Sequence, residues 1–180
     1  MHYSLNYLNK ILILIVLIIS VQANKIFFVN KKKTYYFVIT MENVYFSSLS
    51  FSDCFYRIKT DEETDEFQAL AIVTKEMVAV MDAWSEIVFI DSTYQLLELG
   101  YPAPIFVIED GNGATEIVCF SLVTHEDEST MKWVIEVFFE IHASAFPRIE
   151  VFMADKDMVA RKILKDTYGF VVYICAFHVH

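Results

Sequence analysis

Glycine and proline are scarce in this chain, which has only 4 Gly and 3 Pro among 180 residues. Such a composition excludes a collagen-like or low-complexity sequence. The 3 cysteines, Cys54, Cys119 and Cys175, are odd in number and widely spaced, so they do not make a disulfide framework. Cysteine usage therefore favours a reducing compartment, and Cys119, which lies in an apolar run, is predicted to be a core residue.

An excess of basic residues is also missing. The chain has 14 Lys and Arg against 24 Asp and Glu, and its formal net charge is -10. Protein surfaces that bind nucleic acid through phosphate contacts are normally basic. Tight binding of nucleic acid by this chain would therefore need metal ions or a basic partner segment.

No apolar run reaches the roughly 18 residues expected of a transmembrane helix. Ile11 to Ile19 is nevertheless an unbroken aliphatic run, with Lys10 before it and the small-residue stretch 21–23 after it. That arrangement is typical of a signal peptide, although no Asn-x-Ser/Thr glycosylation acceptor occurs in the chain. Two interpretations stay open: a signal or membrane anchor, or an apolar leader (residues 1–23) that is a gene-model artefact.

The most informative stretch is the apolar run from Ile87 to Ile90, which ends at Asp91. Its β-branched and aromatic residues predict a strand buried on both faces, with Asp91 at the carboxyl end, where ligands collect in open α/β sheets. The run from Ile149 to Ala154 ends in the same way, at Asp155. Two such carboxylates can hold a divalent cation. The alternative is that they are helix caps or turn residues.

The order of predicted elements gives the fold class. A strand at 67–73 and a helix from 75 to about 84 precede a β-β-β-α-β-α-β series, whose strands are predicted at 87–91, 105–108, 115–123, 149–154 and 170–174. With right-handed crossovers, this series predicts a ribonuclease H-like mixed α/β sheet of strand order 3-2-1-4-5, with flanking helices. That order places Asp91 beside Asp155.

Capping residues and helical spacing predict where two of the helices lie. Thr74 can cap the helix that begins at 75, and Asp127 or Ser129 can cap a helix that runs to about His142. Phe139 and His142 lie on the apolar face of that second helix.

Three segments are predicted along the chain. The apolar leader covers residues 1–23, and a poorly defined region with an acidic linker (59–66) covers 24–66. The ribonuclease H-like domain covers 67–180 and is expected to be incomplete, because a further helix normally packs on such a sheet. Without that helix, apolar surface on three neighbouring strands would be exposed, which predicts a protein partner or an oligomer.

Five short motifs carry a resemblance to a known family. They are Asp91-Ser92-Thr93-Tyr94, Asp110-Gly111-Asn112-Gly113, Glu126-Asp127-Glu128-Ser129 with Trp133, Ala154-Asp155-Lys156-Asp157, and Cys175-Ala176-Phe177-His178. In this order they resemble the catalytic domain of Mutator-like (MULE) transposases. The form of the second aspartate motif and the stretch Leu96-Leu97-Glu98-Leu99 resemble the RNase H-like domain of SWIM-type zinc-finger proteins.

This resemblance implies a DDE-type site in which Asp91 and Asp155 bind Mg²⁺ or Mn²⁺, with Asp157 as a less favoured second carboxylate. It also implies DNA as a partner and a nuclear location. The third carboxylate of such a site is expected beyond the C-x-x-H motif, past the end of this sequence. Cys175 and His178 could supply half of a zinc site, or they are a structural cysteine and an exposed histidine.

Three functions follow as alternatives. The favoured one is a domesticated transposase-derived domain without catalysis, which has a nucleic-acid-related or protein-interaction role. The second is an active metal-dependent nuclease or strand-transferase that borrows a carboxylate such as Glu98 or Glu126. The third, based only on the apolar leader, is a secreted or membrane-tethered binding protein.

Overall fold

A computed structural model describes residues 25–30, 33–39, 44–46, 54–93, 101–155 and 158–175. The chain divides into two compact units. The first unit contains a three-stranded antiparallel sheet of order β1-β2-β3, formed by β1 (Lys25–Asn30), β2 (Lys33–Ile39) and β3 (Val44–Phe46). The apolar leader predicted at residues 1–23 lies outside the described residues.

The second unit contains the seven-stranded mixed sheet and its helices. Its strands are β4 (Cys54–Thr60), β5 (Phe67–Thr74), β6 (Ile87–Thr93), β7 (Ala103–Glu109), β8 (Thr115–Val123), β9 (Val151–Ala154) and β10 (Val171–Ile174). Its helices are α1 (Lys75–Ala83), α2 (Glu128–Ile141) and α3 (Met158–Lys162), with a 3-10 turn at Phe146–Arg148 and a π-helical turn at Ile163–Thr167.

The strand order of the sheet is β10-β9-β6-β7-β8-β5-β4. Strand β9 pairs in parallel with both β6 and β10, whereas the remaining neighbours are antiparallel. Strands β6 to β10 therefore have the predicted order 3-2-1-4-5, which confirms the ribonuclease H-like fold class. Strands β5 and β4 extend this core beyond β8.

The acidic segment predicted as a linker joins two strands of one hairpin. Strand β4 pairs along its length with β5, and residues 61–66 form the turn between them. The Oδ1 atom of Asp61 accepts hydrogen bonds from the backbone N–H groups of Glu63 and Thr64, both at 3.0 Å. Local side-chain bonding of this kind is typical of turns. The division of the chain into three segments stays a prediction.

Side-chain caps fix where the two longer helices begin. The Thr74 hydroxyl accepts a hydrogen bond from the N–H of Met77, as predicted for the start of α1. The Asp127 carboxylate accepts from the N–H of Thr130 at 3.0 Å and starts α2. Of the two caps that the sequence allowed for α2, the structure uses Asp127 rather than Ser129.

Helix α2 covers the face of the sheet on which Val88, Ile90 and Phe152 are fully buried or nearly so. The ring of Phe138 on α2 stacks on that of Phe106 on β7, with centroids 4.2 Å apart. Stacked aromatic pairs add to the large apolar area that such residues bury, so this contact anchors the helix to the sheet.

Candidate functional site

The register of β6 and β9 brings the two predicted aspartates to one edge of the sheet. Ile90 pairs with Ala154 across the parallel strands, and Asp91 and Asp155 follow these residues. The strand predicted at 87–91 continues past Asp91, because β6 ends at Thr93. Neighbouring strands lie about 4.8 Å apart, so carboxylates at matching positions of adjacent strands can reach a common ion. Asp91 is exposed and Asp155 is half-buried. The structure therefore has the predicted arrangement, in which Asp91 and Asp155 lie side by side on neighbouring strands.

The donor set at this edge suits a hard divalent cation. Mg²⁺ is commonly held by one or two carboxylates, and it keeps several waters that substrate phosphates can replace. Asp91 and Asp155 can supply that pair of carboxylates. No group of three or more His, Cys, Asp and Glu side chains with metal-binding spacing occurs in the part of the chain that the structure describes. Metal binding by Asp91 and Asp155 therefore stays a prediction.

Cys175 lies at the same edge, because β10 pairs with β9 in register and Cys175 directly follows it. Its N–H donates a 2.8 Å hydrogen bond to the carbonyl oxygen of Ala154, which places its backbone next to Asp155. Its predicted zinc partner, His178, lies outside the described residues, as do Asp157 and Glu98. The zinc pair stays a prediction.

Cys119 is fully buried in β8, as the sequence predicts. Burial, slightly offset by hydrogen bonds from Ser121 and the Ile72 backbone, raises the pKa of the Cys119 thiol to about 12. A thiol that stays protonated is a poor metal ligand, since zinc binds the thiolate. Cys119 therefore acts as a small core residue.

An apolar surface lies beside the two aspartates, on the sheet face opposite α2. Side chains alternate along a strand, so Asp91 shares its face with every second residue of β6 and with the matching residues of β9 and β10. These residues are Ile87, Phe89, Val151, Met153, Val171 and Tyr173. Ile87, Val171 and Tyr173 are 47%, 51% and 59% exposed, and the other three are half-buried. We call these six residues the open sheet face; it is the exposed apolar surface expected on these strands.

Two further features were not identified from the sequence. His142, at the end of α2, is buried, and its Nε2 atom lies 2.9 Å from the carbonyl oxygen of Val118. An aromatic cluster surrounds Phe139 and draws its members from α2, the 3-10 turn and the segment after α3. Helical spacing marked Phe139 and His142 only as apolar-face residues, because their partners are distant in sequence.

None of the helices in the described ranges combines the length and the apolar character needed to cross a bilayer. The run from Ile11 to Ile19 falls outside those ranges. Its role as a signal or anchor stays a prediction.

Comparison with known proteins agrees with the fold. No curated protein and no solved structure matches the chain significantly. Residues 45–171 match the profile of the RNaseH-like domain of zinc finger SWIM domain-containing protein 1/3. The matched range covers most of the chain, including β6, β9 and both aspartates. The chain therefore belongs to the family of RNaseH-like domains of zinc finger SWIM domain-containing proteins 1 and 3.

Proposed function

We propose that this chain is a non-catalytic binding domain that uses a nuclease-like fold to engage a protein partner. A single observation carries the proposal, namely the open sheet face beside Asp91 and Asp155. A surface that guides nucleic acid is normally basic and polar. Here the surface beside the carboxylates is apolar, and contiguous exposed apolar patches are typical of protein interfaces.

The distribution of charge supports a protein partner over DNA. Four basic side chains of the described residues are paired with acidic ones, in the pairs Arg57–Glu140, Lys132–Glu136, Arg148–Asp82 and Lys162–Glu128. A paired cation adds less to the attraction of phosphate than an unpaired one. Glu86 and Glu150, both exposed, precede β6 and β9, so acidic residues lie at both ends of these strands. A partner that combines apolar side chains with Lys or Arg suits this surface.

Photo-crosslinking tests whether a protein partner binds the open sheet face. Tyr173, on the open sheet face, is replaced by the photo-crosslinker p-benzoylphenylalanine in cells that express the full chain. In the matched control, p-benzoylphenylalanine replaces Glu140, an exposed residue of α2. We expect a discrete crosslinked band only from position 173, and we expect Val171→Lys in the same chain to reduce it. Identical bands from both positions, or none from position 173, would contradict the proposal.

The second candidate is a metal-dependent nuclease, which the adjacency of Asp91 and Asp155 favours. Mg²⁺ or Mn²⁺ bound there would supply the Lewis acidity that activates a water or a 3′-hydroxyl for attack on a phosphodiester. Asp91 and Asp155 themselves would hold the ion and orient it toward the substrate. We also propose that the domain derives from a Mutator-like transposase, an origin that fits either candidate.

A cleavage assay separates the two candidates. The purified full chain is incubated with single-stranded and double-stranded DNA in Mg²⁺ or Mn²⁺, beside Asp91→Asn and Asp155→Asn. We expect no cleavage above a protein-free control for any of the three proteins. Cleavage that needs the metal and is lost in both variants would establish the nuclease and overturn the binding-domain proposal.

We also propose a nuclear location, which rests on membership of a zinc-finger protein family. A C-terminally tagged full-length chain is expected in the nucleus with its N-terminus intact. Secretion of the tagged chain, or removal of residues before Lys25, would instead support a secreted or membrane-tethered protein.

A further inference from the structure

A shallow cleft of about 230 Å³ opens between α2, the 3-10 turn and the segment after the π-helical turn. It is lined by Glu136, Phe139, Ala143, Phe146 and Tyr168. Three of these five residues are aromatic, and the only charged one is a carboxylate. Neither the predicted metal site nor the open sheet face includes any of them.

The three rings form a floor and two walls. Phe139 is only 9% exposed and forms the floor. The centroids of Phe146 and Tyr168 lie 4.7 and 4.9 Å from that of Phe139, and their planes are inclined to it by 76° and 69°. The centroid of the half-buried Phe170 lies 5.7 Å from those of both Phe139 and Phe146, so Phe170 packs against both rings. The contacts among these four rings therefore fix the positions of the three that line the cleft.

The carboxylate of Glu136 completes the lining. The hydroxyl of Tyr168 donates a hydrogen bond to it, and burial together with the charge of Glu136 raises the pKa of Tyr168. Lys132 lies one helical turn away, with its Nζ 3.8 Å from Oε1 of Glu136. Both side chains of that pair are about half exposed, and such surface pairs interact weakly. Lys132 therefore offsets the negative charge of Glu136 only in part, and the carboxylate adds to the attraction of the cleft for a cation.

From this geometry we propose that the cleft binds an alkylated ammonium group. Aromatic faces attract a cation through the ring quadrupole, and this attraction is greater when the site is partly desolvated. Apolar walls suit the methyl groups of a quaternary ammonium, whereas a primary ammonium would lose its strong hydration there. Glu136 adds electrostatic attraction and disfavours anions.

Two sources can present this chemistry, namely a methylated lysine side chain of a protein and a small free quaternary amine. Both place the same group against Phe139, Phe146 and Tyr168. The inference does not depend on the proposed binding function of the open sheet face.

The first experiment uses tetramethylammonium chloride as the probe. The full chain, labelled with ¹⁵N, is titrated while amide resonances are recorded, and the control ligand is neopentyl alcohol, a neutral molecule of similar shape. We expect saturable shifts confined to the residues around the cleft, with a Kd on the order of 1–10 mM. The neutral ligand is expected to bind at least about fivefold more weakly. Equal binding of both ligands, or no saturable shift, would overturn the proposal.

Single substitutions test whether the residues that line the cleft bind the cation. Phe146→Leu and Glu136→Gln are each expected to weaken tetramethylammonium binding about three- to tenfold. The matched controls are Phe55→Leu and Glu150→Gln, at an exposed ring and an exposed carboxylate outside the cleft. These controls should leave the affinity unchanged. If Phe146→Leu does not fold, Tyr168→Trp keeps an aromatic wall and should retain binding, whereas Tyr168→Leu should lose it.

A last experiment distinguishes a methylated lysine of a protein from a small free quaternary amine as the ligand. A short peptide with trimethyllysine and choline chloride are titrated separately. Tighter binding of the peptide assigns the site to a methylated protein, and tighter binding of choline assigns it to a small amine; both outcomes support an alkylammonium site. The alkylammonium site would be rejected if neither the peptide nor choline bound and tetramethylammonium also produced no saturable shift.

Discussion

Ile90 of β6 pairs in register with Ala154 of β9, and an aspartate follows each residue. The backbone hydrogen bonds of the two parallel strands thus place these two carboxylates side by side at this edge of the sheet. A change of one residue in the register would move one of the two aspartates to the other face of the sheet.

We therefore expect Asp91 and Asp155 to bind Mn²⁺ together. Asp91→Asn and Asp155→Asn should each weaken Mn²⁺ binding by about tenfold, because each removes one of two anionic ligands. Enhancement of water-proton relaxation by Mn²⁺ measures the affinity. Asp166→Asn, at an exposed site after α3, is the control and should have no effect. Wild-type affinity in both site variants would show that the metal binds elsewhere.

His142 should make the stability of the fold depend on pH. Burial lowers the pKa of His142 below its ordinary value of 6.5, although the hydrogen bond with Val118 and the charge of Asp82 partly oppose this. The unfolded chain therefore takes up a proton near pH 6.5 that the folded chain does not accept. Stability should be unaffected by this residue above that pH and should fall below it, by at most about 1.4 kcal/mol per pH unit.

Urea unfolding at pH 7.5, 6.5 and 5.5 measures this effect. His142→Gln should flatten the dependence between pH 6.5 and 5.5, because its side chain does not titrate. His125→Gln, at an exposed histidine, is the matched control and should keep the slope of the wild type. Parallel curves for the wild type and His142→Gln would rule out His142 as the source.

The N-cap of α2 should contribute measurably to stability. Asp127 accepts hydrogen bonds from both the N–H and the hydroxyl of Thr130, at 3.0 and 2.9 Å. Asp127→Ala should lower the free energy of unfolding by about 1 kcal/mol, whereas Asp127→Asn should preserve most of it. Ser129→Ala is the comparison, since Ser129 does not cap the helix; a larger loss for Ser129→Ala in thermal unfolding would contradict the assignment.

A side chain at Gly111 should displace the ring of Trp84. A Cβ atom there would lie 2.5 Å from Cη2 of Trp84, so the indole ring would have to move. Trp84 is 44% exposed and can shift, so Gly111→Ala should cost only about 1 kcal/mol and should change the tryptophan fluorescence.

The Trp84→Leu background provides the test. In that background the cost of Gly111→Ala should largely disappear. Gly169→Ala should cost a similar amount in both backgrounds, because its strain comes from a φ of 73° rather than from a neighbour. An unchanged cost for Gly111→Ala in Trp84→Leu would show that the ring is not responsible.

Much of the fold could be predicted because its signals are local. The apolar runs ending at Asp91 and Asp155, the cap at Thr74 and the helical spacing of α2 depend on residues close together in the chain. Right-handed crossovers then leave few ways to order the five core strands. The hairpin of β4 and β5 was not anticipated, because its acidic turn resembles a linker in composition.

The candidate sites also differ in whether local sequence signals predict them. Asp91 and Asp155 were predictable because each directly follows a recognisable apolar run. The aromatic cleft was not, because Phe139, Phe146 and Tyr168 meet only when α2, the 3-10 turn and the segment after α3 pack together. The burial of His142 likewise depends on β8, which lies in a different part of the chain.

The sequence by itself determined the five core strands, the starts of the two longer helices and the two carboxylates that follow apolar runs, since periodicity and capping act within a few residues. Tertiary structure alone decided which surfaces stay open and which rings meet. Burial depends on the packing of distant segments, and that packing leaves Tyr173 exposed beside Asp91 and Asp155 while it gathers three aromatic rings around the charge of Glu136.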